Sequence, residues 1–385
     1  AGSGKTRVLT HRIAHLIHMG VHPSKILAIT FTNMAAAEMR ERVGALVGPV
    51  VKTMWVSTFH SACVRILRAN GELLGYPRQF SIYDAADSNR LTGYVIRDLG
   101  LDPKRFTPRG VHGIISLWKN ELVDPEEAQR RAQNIFDRKH ADVYAEYQAR
   151  LLKAGAMDFD DLLLNAVRLF REHPDVLEHY RQRFQHILVD EFQDTNQAQN
   201  EMVLLLADGH RNVCVVGDSD QGVYGWRGAD LRNILDFEEE FPDVTTVILD
   251  QNYRSTQTIL DAANAVIDNN VERKPKSLWT DSGAGERIVR YHAEDEGDEA
   301  TWVAGTARHL HADDATNFGE MAVLYRTNAQ SRVIEEAFMR LGVPYKVVGG
   351  TRFYDRREVK DAMAYLRAVV NPVDEVSVKR VLNVP

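Results

Sequence analysis

Ala1-Gly2-Ser3-Gly4-Lys5-Thr6 has the composition of a loop that cradles phosphate. It matches the second half of the pattern G-x-x-x-x-G-K-[ST]. In that pattern backbone N–H groups surround the phosphates, the lysine reaches the β- and γ-phosphates, and the threonine hydroxyl binds Mg²⁺. Far downstream, the apolar run His186-Ile187-Leu188-Val189 ends in Asp190-Glu191-Phe192-Gln193-Asp194. One carboxylate of such a pair holds Mg²⁺ and the next orients or deprotonates the attacking water. Loop and acidic turn together point to nucleoside triphosphate hydrolysis rather than to binding alone.

Gly217-Asp218-Ser219-Asp220-Gln221 follows another apolar run. A polar side chain at this place in such an enzyme senses the γ-phosphate, which makes Gln221 the candidate. A plain turn rich in Asp, Ser and Gly is the alternative. The chain continues Gly222-Val223-Tyr224-Gly225-Trp226-Arg227-Gly228. Tyr224 and Trp226 beside Arg227 suit a platform for stacking nucleobases, worth roughly 1–3 kcal/mol per base. An aromatic turn packed on the next helix competes with that reading. In Gln251-Asn252-Tyr253-Arg254-Ser255, an arginine at the mouth of a cleft can neutralise transition-state charge. Tyr253 could stack on a nucleobase. A surface Arg with a buried Tyr is the alternative.

The elements around these runs alternate between strand and helix over residues 1–84. A helix follows the loop from Thr6 to about Met19. Strands are expected at Ile26 to Phe31, Met54 to Thr58 and Phe80 to Tyr83, with helices at Ala35 to Leu46 and His60 to Arg68. This pattern predicts a doubly wound parallel α/β sheet. Residues 85–183 change to amphipathic helical periodicity, as in Ala141 to Leu152 and Phe159 to Phe170, and read as an all-helical insertion. Strands resume at Ile187 to Phe192, Val213 to Gly217 and Val244 to Leu249. A second α/β unit begins near Gln251, with strands at Ile288 to Tyr291 and Met321 to Tyr325. Its helices are expected at Thr256 to Asn269, Asp298 to His311 and Ala329 to Leu341, followed by one at Arg356 to Val370.

With 385 residues, a net charge of −7, 26% charged and 44% hydrophobic residues, the chain fits an ordinary soluble protein of two or three domains. An acidic total does not exclude nucleic acid, because local placement of basic and aromatic groups decides binding. Cys63 and Cys214 sit in apolar stretches without metal-ligand spacing. They read as buried reduced thiols, hence a cytoplasmic compartment. No apolar run is long enough to span a bilayer, no signal peptide is visible, and no membrane partner is expected.

The chain resembles the superfamily 1A DNA helicases of the UvrD/PcrA/Rep type. The matching runs are those above together with Ile29-Thr30-Phe31-Thr32-Asn33, Thr58-Phe59-His60, Met157-Asp158-Phe159-Asp160-Asp161-Leu162, Tyr325-Arg326-Thr327-Asn328-Ala329-Gln330, and Gly349-Gly350 with Phe353 and Glu358-Val359-Lys360-Asp361. They recur in family order across nearly the whole chain. The resemblance implies a P-loop, RecA-like motor domain 1A at residues 1–84 and 184–250, with a helical insertion 1B at 85–183. It also implies the first part of a second RecA-like motor 2A at 251–346 and the start of a helical subdomain 2B at 347–385.

By the same resemblance, Gly2, Ser3, Gly4, Lys5 and Thr6 would bind ATP, and Thr6 with Asp190 would hold Mg²⁺. Glu191 would be the catalytic base, Gln221 would couple the γ-phosphate to DNA, and Arg254 would be an arginine finger. Arg7 and Tyr253 would sandwich the adenine. Phe31, Thr58, His60, Phe159, Tyr224, Trp226, Arg227, Arg326 and Asn328 would face DNA. The implied activity is ATP-dependent 3′–5′ translocation on single-stranded DNA and unwinding of 3′-tailed duplex, in repair or replication. A RecB/AddA-like helicase–nuclease shares these motifs, and a fragment that binds ATP and single strand without unwinding is a further alternative. Met34 and Gly222 depart from the family, where lysine and serine are common.

Measured against that resemblance, the chain lacks the upstream adenine-reading glutamine motif, the motifs that complete the second motor and most of 2B. Arginine fingers contribute ~10³–10⁵ in rate. Residues 1–385 alone are therefore expected to bind nucleotide weakly, to show negligible DNA-stimulated ATPase and to unwind nothing. A strand-displacement assay on a 3′-tailed duplex with ATP checks this, and released strand would overturn it.

Overall fold

The computed structural model describes residues 1–225, 228–270, 273, 275–313, 316–348 and 357–382. Contacts divide the chain into two units, residues 1–285 with 364–385, and residues 286–363.

The first unit is built on a four-stranded sheet of β1 (Ile26–Thr30), β2 (Trp55–Thr58), β5 (His186–Val189) and β6 (Val213–Val215), in the order β2-β1-β5-β6. Every neighbouring pair is parallel; Leu27 pairs with Trp55 and Ile187, and Leu188 pairs with Cys214. Parallel strands need crossovers and end buried on both faces, and all five residues of β1 are buried. Alternation along the strand divides them. Leu27 and Ile29 join Ile187 and Val189 in a core with α3 (Phe59–Asn70), α8 (Phe159–Glu172) and α10 (Gln197–Ala207). Ile26 and Ala28 join Leu188 in the opposite core with α1 (Lys5–His18) and α2 (Asn33–Val47). The doubly wound α/β expectation holds for these strands and their helices.

Three expectations are corrected. The strand at Ser81–Tyr83 (β3) does not join the main sheet; it pairs in parallel with Ala156–Asp158 (β4) in a separate two-stranded sheet. The insertion is therefore not all-helical. Three buried residues carry too little alternation to announce a strand, and the pairing partner lies far away in sequence. No strand forms at 244–249, 288–291 or 321–325 among the described residues. Val247, Ile248, Ile288 and Val289 there are exposed, and an apolar run becomes a strand only where a ladder partner satisfies its backbone.

The helices between β3 and β5 are α4 (Ala85–Asp98), α5 (Pro108–Asn120), α6 (Pro125–Arg131), α7 (Ile135–Lys153), α8 and α9 (Pro174–Arg183). Several start on side-chain caps: Asp84 for α4, Thr107 for α5, Asn134 for α7, and an Asp158–Asp161 capping box for α8. Leu91, Val95, Ile115, Tyr144 and Tyr147 form a core shared by α4, α5 and α7, while α8 and α9 pack into the core of the main sheet. Short helices α11 (Arg232–Leu235) and α12 (Phe237–Glu240) and the longer α13 (Gln257–Ile267) follow β6. The second unit packs α14 (Glu296–Asp313) on α15 (Ser331–Leu341) through Ala300, Ala304, Ala337 and Phe338. α16 (Arg357–Val370) and α17 (Glu375–Val381) complete the chain, and Arg367 donates to Asp87 at 2.9 Å.

One charged group is buried where helical periodicity would place an apolar one. Lys119, on α5, is fully buried and lies 2.8 Å from both Asp158 and Asp161. Tyr147 also donates to Asp158 at 2.8 Å. Burial alone would lower the Lys119 pKa, but the two carboxylates raise it. Burial and the nearby Asp158 push Asp161 up to about 6. Removing one partner of a buried pair costs about 3–5 kcal/mol, whereas replacing the whole cluster by neutral groups costs far less. Lys119→Ala is expected to lose stability on that scale in urea unfolding. Lys119→Met combined with Asp158→Asn and Asp161→Asn should recover most of it.

Candidate functional site

The phosphate loop gets its shape from two left-handed glycines, Gly2 (φ 82°) and Gly4 (φ 85°), with Gly4 capping α1. At Gly2 the requirement is also steric: a Cβ there would lie 2.7 Å from Arg254 Cβ and from the Asn252 amide nitrogen. Tyr253 N–H donates to the Gly2 carbonyl at 2.9 Å. The loop and the Asn252–Arg254 segment thus form adjoining walls of a cleft of about 310 Å³. Gly2, Gly4, Lys5, Thr6, Arg7, Glu191, Gln221, Tyr253 and Arg254 line it. Ser3 does not. Arg42 also reaches it, a residue to which the sequence assigned no role.

Asp190 and Glu191 sit just past the C-terminal end of β5. Asp190 is buried, and the Thr6 hydroxyl donates to its Oδ2 at 2.9 Å. Burial raises the Asp190 pKa, opposed by the Thr6 hydrogen bond. Glu191 adopts a left-handed conformation (φ 51°, ψ 46°), which costs a non-glycine residue roughly 1–2 kcal/mol. The bend separates three neighbours: Glu191 faces the cleft, Phe192 returns to the core, and Asp194 emerges at a second depression. Such strain is tolerated where it serves placement of a functional group.

Asp218 gathers the cations near the cleft. Its Oδ2 lies 3.7 Å from Lys5, its Oδ1 is held by Lys276, and Gln221 Nε2 also donates to it. Lys276 is 3.0 Å from Asp220 as well. Burial alone would raise Asp218, but hydrogen bonding and charge from Lys276 pull it down to about 2. Lys276 was not anticipated, because nothing in its flanking sequence marks it.

The second depression, about 700 Å³, is a groove walled by Phe31, His60, Phe159, Asp194 and Tyr224. Phe31 and Tyr224 meet at 5.1 Å between ring centroids, and His60 meets Phe159 edge-on at 5.9 Å. Half of the Phe159 surface remains exposed. Burial lowers the His60 pKa, favouring the neutral ring. Ser116 and Asn120 of α5 and Asn196 complete the wall. Asn120 donates to Asp160 at 3.2 Å and accepts from Asn196. These amides were also missed, since helical periodicity does not reveal what an insertion faces. No Lys or Arg lines the groove among the described residues, so its surface suits flat aromatic rings better than phosphates.

Not every expected groove residue is there. Thr58 is buried, and its hydroxyl caps α3 by accepting from Ser61 N–H at 3.2 Å; it does not line the groove. Arg326 and Asn328 are exposed on the second unit. Trp226 and Arg227 lie outside the described residues. Met34 is 81% exposed and lines neither depression.

A family model described as the UvrD/REP helicase N-terminal domain matches residues 1–242. The chain belongs to the UvrD/REP helicase family. The model of the UvrD-like helicase C-terminal domain matches residues 247–385. Over 100% of its length the chain is 53% identical to the ATP-dependent DNA helicase PcrA of Bacillus subtilis strain 168, covering 52% of that protein. It is 52% identical to the proteins of the same name from Staphylococcus epidermidis RP62A and Staphylococcus aureus Mu50, again over 100% of the chain and 53% of each relative. The chain thus spans about half the length of the curated relatives it matches. Membership in this family agrees with the parallel α/β architecture and the phosphate loop, and identifies the fold as a RecA-like P-loop motor. No helix among the described residues is long and apolar enough to cross a membrane.

Burial, with the nearby Glu191 charge, pushes Asp194 up to about 6 from 3.8. The folded state then binds this proton more tightly than the unfolded chain. Its stabilising contribution is present at low pH and is lost as pH rises through about 6. Asp194→Asn should flatten that segment of the stability curve. Urea unfolding of both proteins between about pH 5 and about pH 7 reads the difference, and parallel curves would contradict it.

Proposed function

We propose that this chain is the motor part of an ATP-dependent DNA helicase that moves 3′–5′ on single-stranded DNA. The observation that carries the reading is the turn after β5. It presents Glu191 to the phosphate-loop cleft and Asp194 to an aromatic groove, so one short segment touches both the fuel site and the track. The names of the relatives support ATP and DNA as the two ligands. We read residues 1–84 and 184–250 as motor 1A, 85–183 as insertion 1B, 251–346 as the start of motor 2A, and 347–385 as the start of 2B.

Lys5 and the N–H groups at the start of α1 would hold the β- and γ-phosphates, where a helix N-terminus favours anions. The adjoining Thr6 hydroxyl and Asp190 carboxylate, both hard oxygen donors, fit Mg²⁺. When bound, that ion would neutralise charge on the phosphate oxygens. Glu191 would take the proton of the attacking water as its oxygen bonds to the γ-phosphorus and the bond to the ADP oxygen breaks. Arg254 faces the same cleft and would stabilise the charge on the transferring group. Gln221, hydrogen-bonded to Asp218, would report the γ-phosphate to the loop that carries Tyr224. Arg7 and Tyr253 are exposed on the cleft wall and suit a flat adenine between them.

In the groove, Phe31, Phe159 and Tyr224 offer rings to bases without sequence preference, since every base has a π-face. Single-stranded DNA and 3′-tailed duplex are the proposed partners. In a full-length protein that carries this chain, Glu191→Gln should keep nucleotide binding and abolish turnover, whereas Lys5→Ala should weaken binding itself. Tyr224→Ala should cost about 1–3 kcal/mol of single-strand affinity. Calorimetric nucleotide titration, phosphate release and fluorescence anisotropy read these outcomes. Normal turnover by Glu191→Gln, or unchanged strand affinity in a folded Tyr224→Ala, would sink the corresponding assignment.

A further inference from the structure

Gln193 lies between the two depressions and lines neither. It is 2% exposed. Its amide nitrogen donates to Glu191 Oε2 at 2.9 Å and, over a longer 3.4 Å, to Asp194 Oδ2. Its amide oxygen accepts from the Asp218 N–H at 2.9 Å. Two carboxylates on one side and an N–H on the other leave a single way to orient the amide, because carboxylates only accept and an N–H only donates. The surroundings clamp it there. A Cβ on Gly217 would come within 2.8 Å of the Gln193 oxygen and 2.4 Å of Ile234, so the turn has no spare room for another side-chain position.

The three groups bonded to this amide belong to three different tasks. Glu191 faces the cleft, Asp194 faces the groove, and Asp218 starts the loop that carries Gln221 and Tyr224. We propose that Gln193 is a positioning residue that couples occupancy of the strand groove to the placement of Glu191. This rests on the reading of cleft and groove given above. The Glu191 and Asp194 carboxylates each accept from the two hydrogens of one NH₂ group, at 2.9 and 3.4 Å, and because the amide is planar and clamped it can tighten one of these bonds only by lengthening the other. A ligand in the groove that donates a hydrogen bond to Asp194 weakens that residue's hold on the amide and strengthens the bond to Glu191. A nucleotide that draws Glu191 away shifts the amide toward Asp194. Coupling of this kind is reciprocal: whatever nucleotide does to strand affinity, strand does to nucleotide affinity by the same factor.

All the groups concerned lie within residues 1–254, so binding measurements on residues 1–385 test the proposal. Affinity for a short fluorescein-labelled oligothymidylate is measured with and without a non-hydrolysable ATP analogue and Mg²⁺. Wild type is expected to show a ratio of about fivefold or more between the two conditions. Gln193→Met keeps the side chain's length and removes its hydrogen bonds. It should bring the ratio to within about twofold of one, while each ligand measured alone binds as in wild type. A purely structural role would weaken one or both single affinities and leave the ratio intact. If Gln193→Met does not fold, Asp194→Asn tests the groove end of the same relay and should lower the ratio. A wild-type ratio of one, or a ratio unmoved by these substitutions, overturns the proposal while leaving the two ligand sites standing. Failure of wild type to bind either ligand would instead overturn the functional reading on which the proposal depends.

Discussion

The structure depends on a carboxylate-bearing turn held rigid by a buried strand. β5 is the second strand in from the β6 edge, bonded on one side to β1 and on the other to β6. Ile187, Leu188 and Val189 are each no more than 1% exposed. Their burial on both faces fixes where the strand ends, and the next residues are Asp190 and Glu191. An acidic pair on a loop would wander, but here its root is packed like a crystal interior. The Asp190 N–H is tied to the Ile29 carbonyl at 2.9 Å and the Phe192 N–H to the Val216 carbonyl at 3.0 Å, so sheet-like bonding continues past the strand itself.

From that anchor the turn distributes side chains by backbone conformation rather than by length. The left-handed Glu191 breaks the alternation of the strand, which sends consecutive residues to different places. Phe192 plugs the core against Phe237, at 5.4 Å between ring centroids, and so holds the bend against relaxation. The polar groups on either side are linked through the buried amide of Gln193. In a low-dielectric interior such links are strong when complete and costly when broken. The same logic applies to Lys119 with Asp158 and Asp161, which pin α5 to the start of α8 and so set one wall of the groove.

The two depressions share these parts without sharing chemistry. The cleft is polar and cationic, with Lys5, Arg7, Arg42 and Arg254 around a loop of backbone N–H groups. The groove is aromatic and amide-lined. A triphosphate needs the first kind of surface, and unstacked bases need the second. The buried Gln193 amide lies between them, bonded to Glu191 on the cleft side and Asp194 on the groove side.

Which residues share the cleft was largely legible from the sequence alone. A glycine-flanked Lys-Thr pair, an acidic pair after an apolar run, and a Tyr-Arg pair after another apolar run each suggest a role through composition and spacing. The structure gathers Lys5, Thr6, Glu191, Gln221, Tyr253 and Arg254 around one cleft. Strands β1, β2, β5 and β6 were legible too, because buried parallel strands read as continuous apolar runs. What depended on distant partners was not. β3 read as a strand, but its partner β4 and their pairing in a separate sheet did not, while the apolar runs at 244–249, 288–291 and 321–325 have no ladder among the described residues. The cap role of Thr58, the burial of Lys119, the groove-facing amides of α5 and the three-way bonding of Gln193 are likewise decided by packing. A side chain's type determines what it can bond to, but only the tertiary structure determines which of its possible partners is within reach.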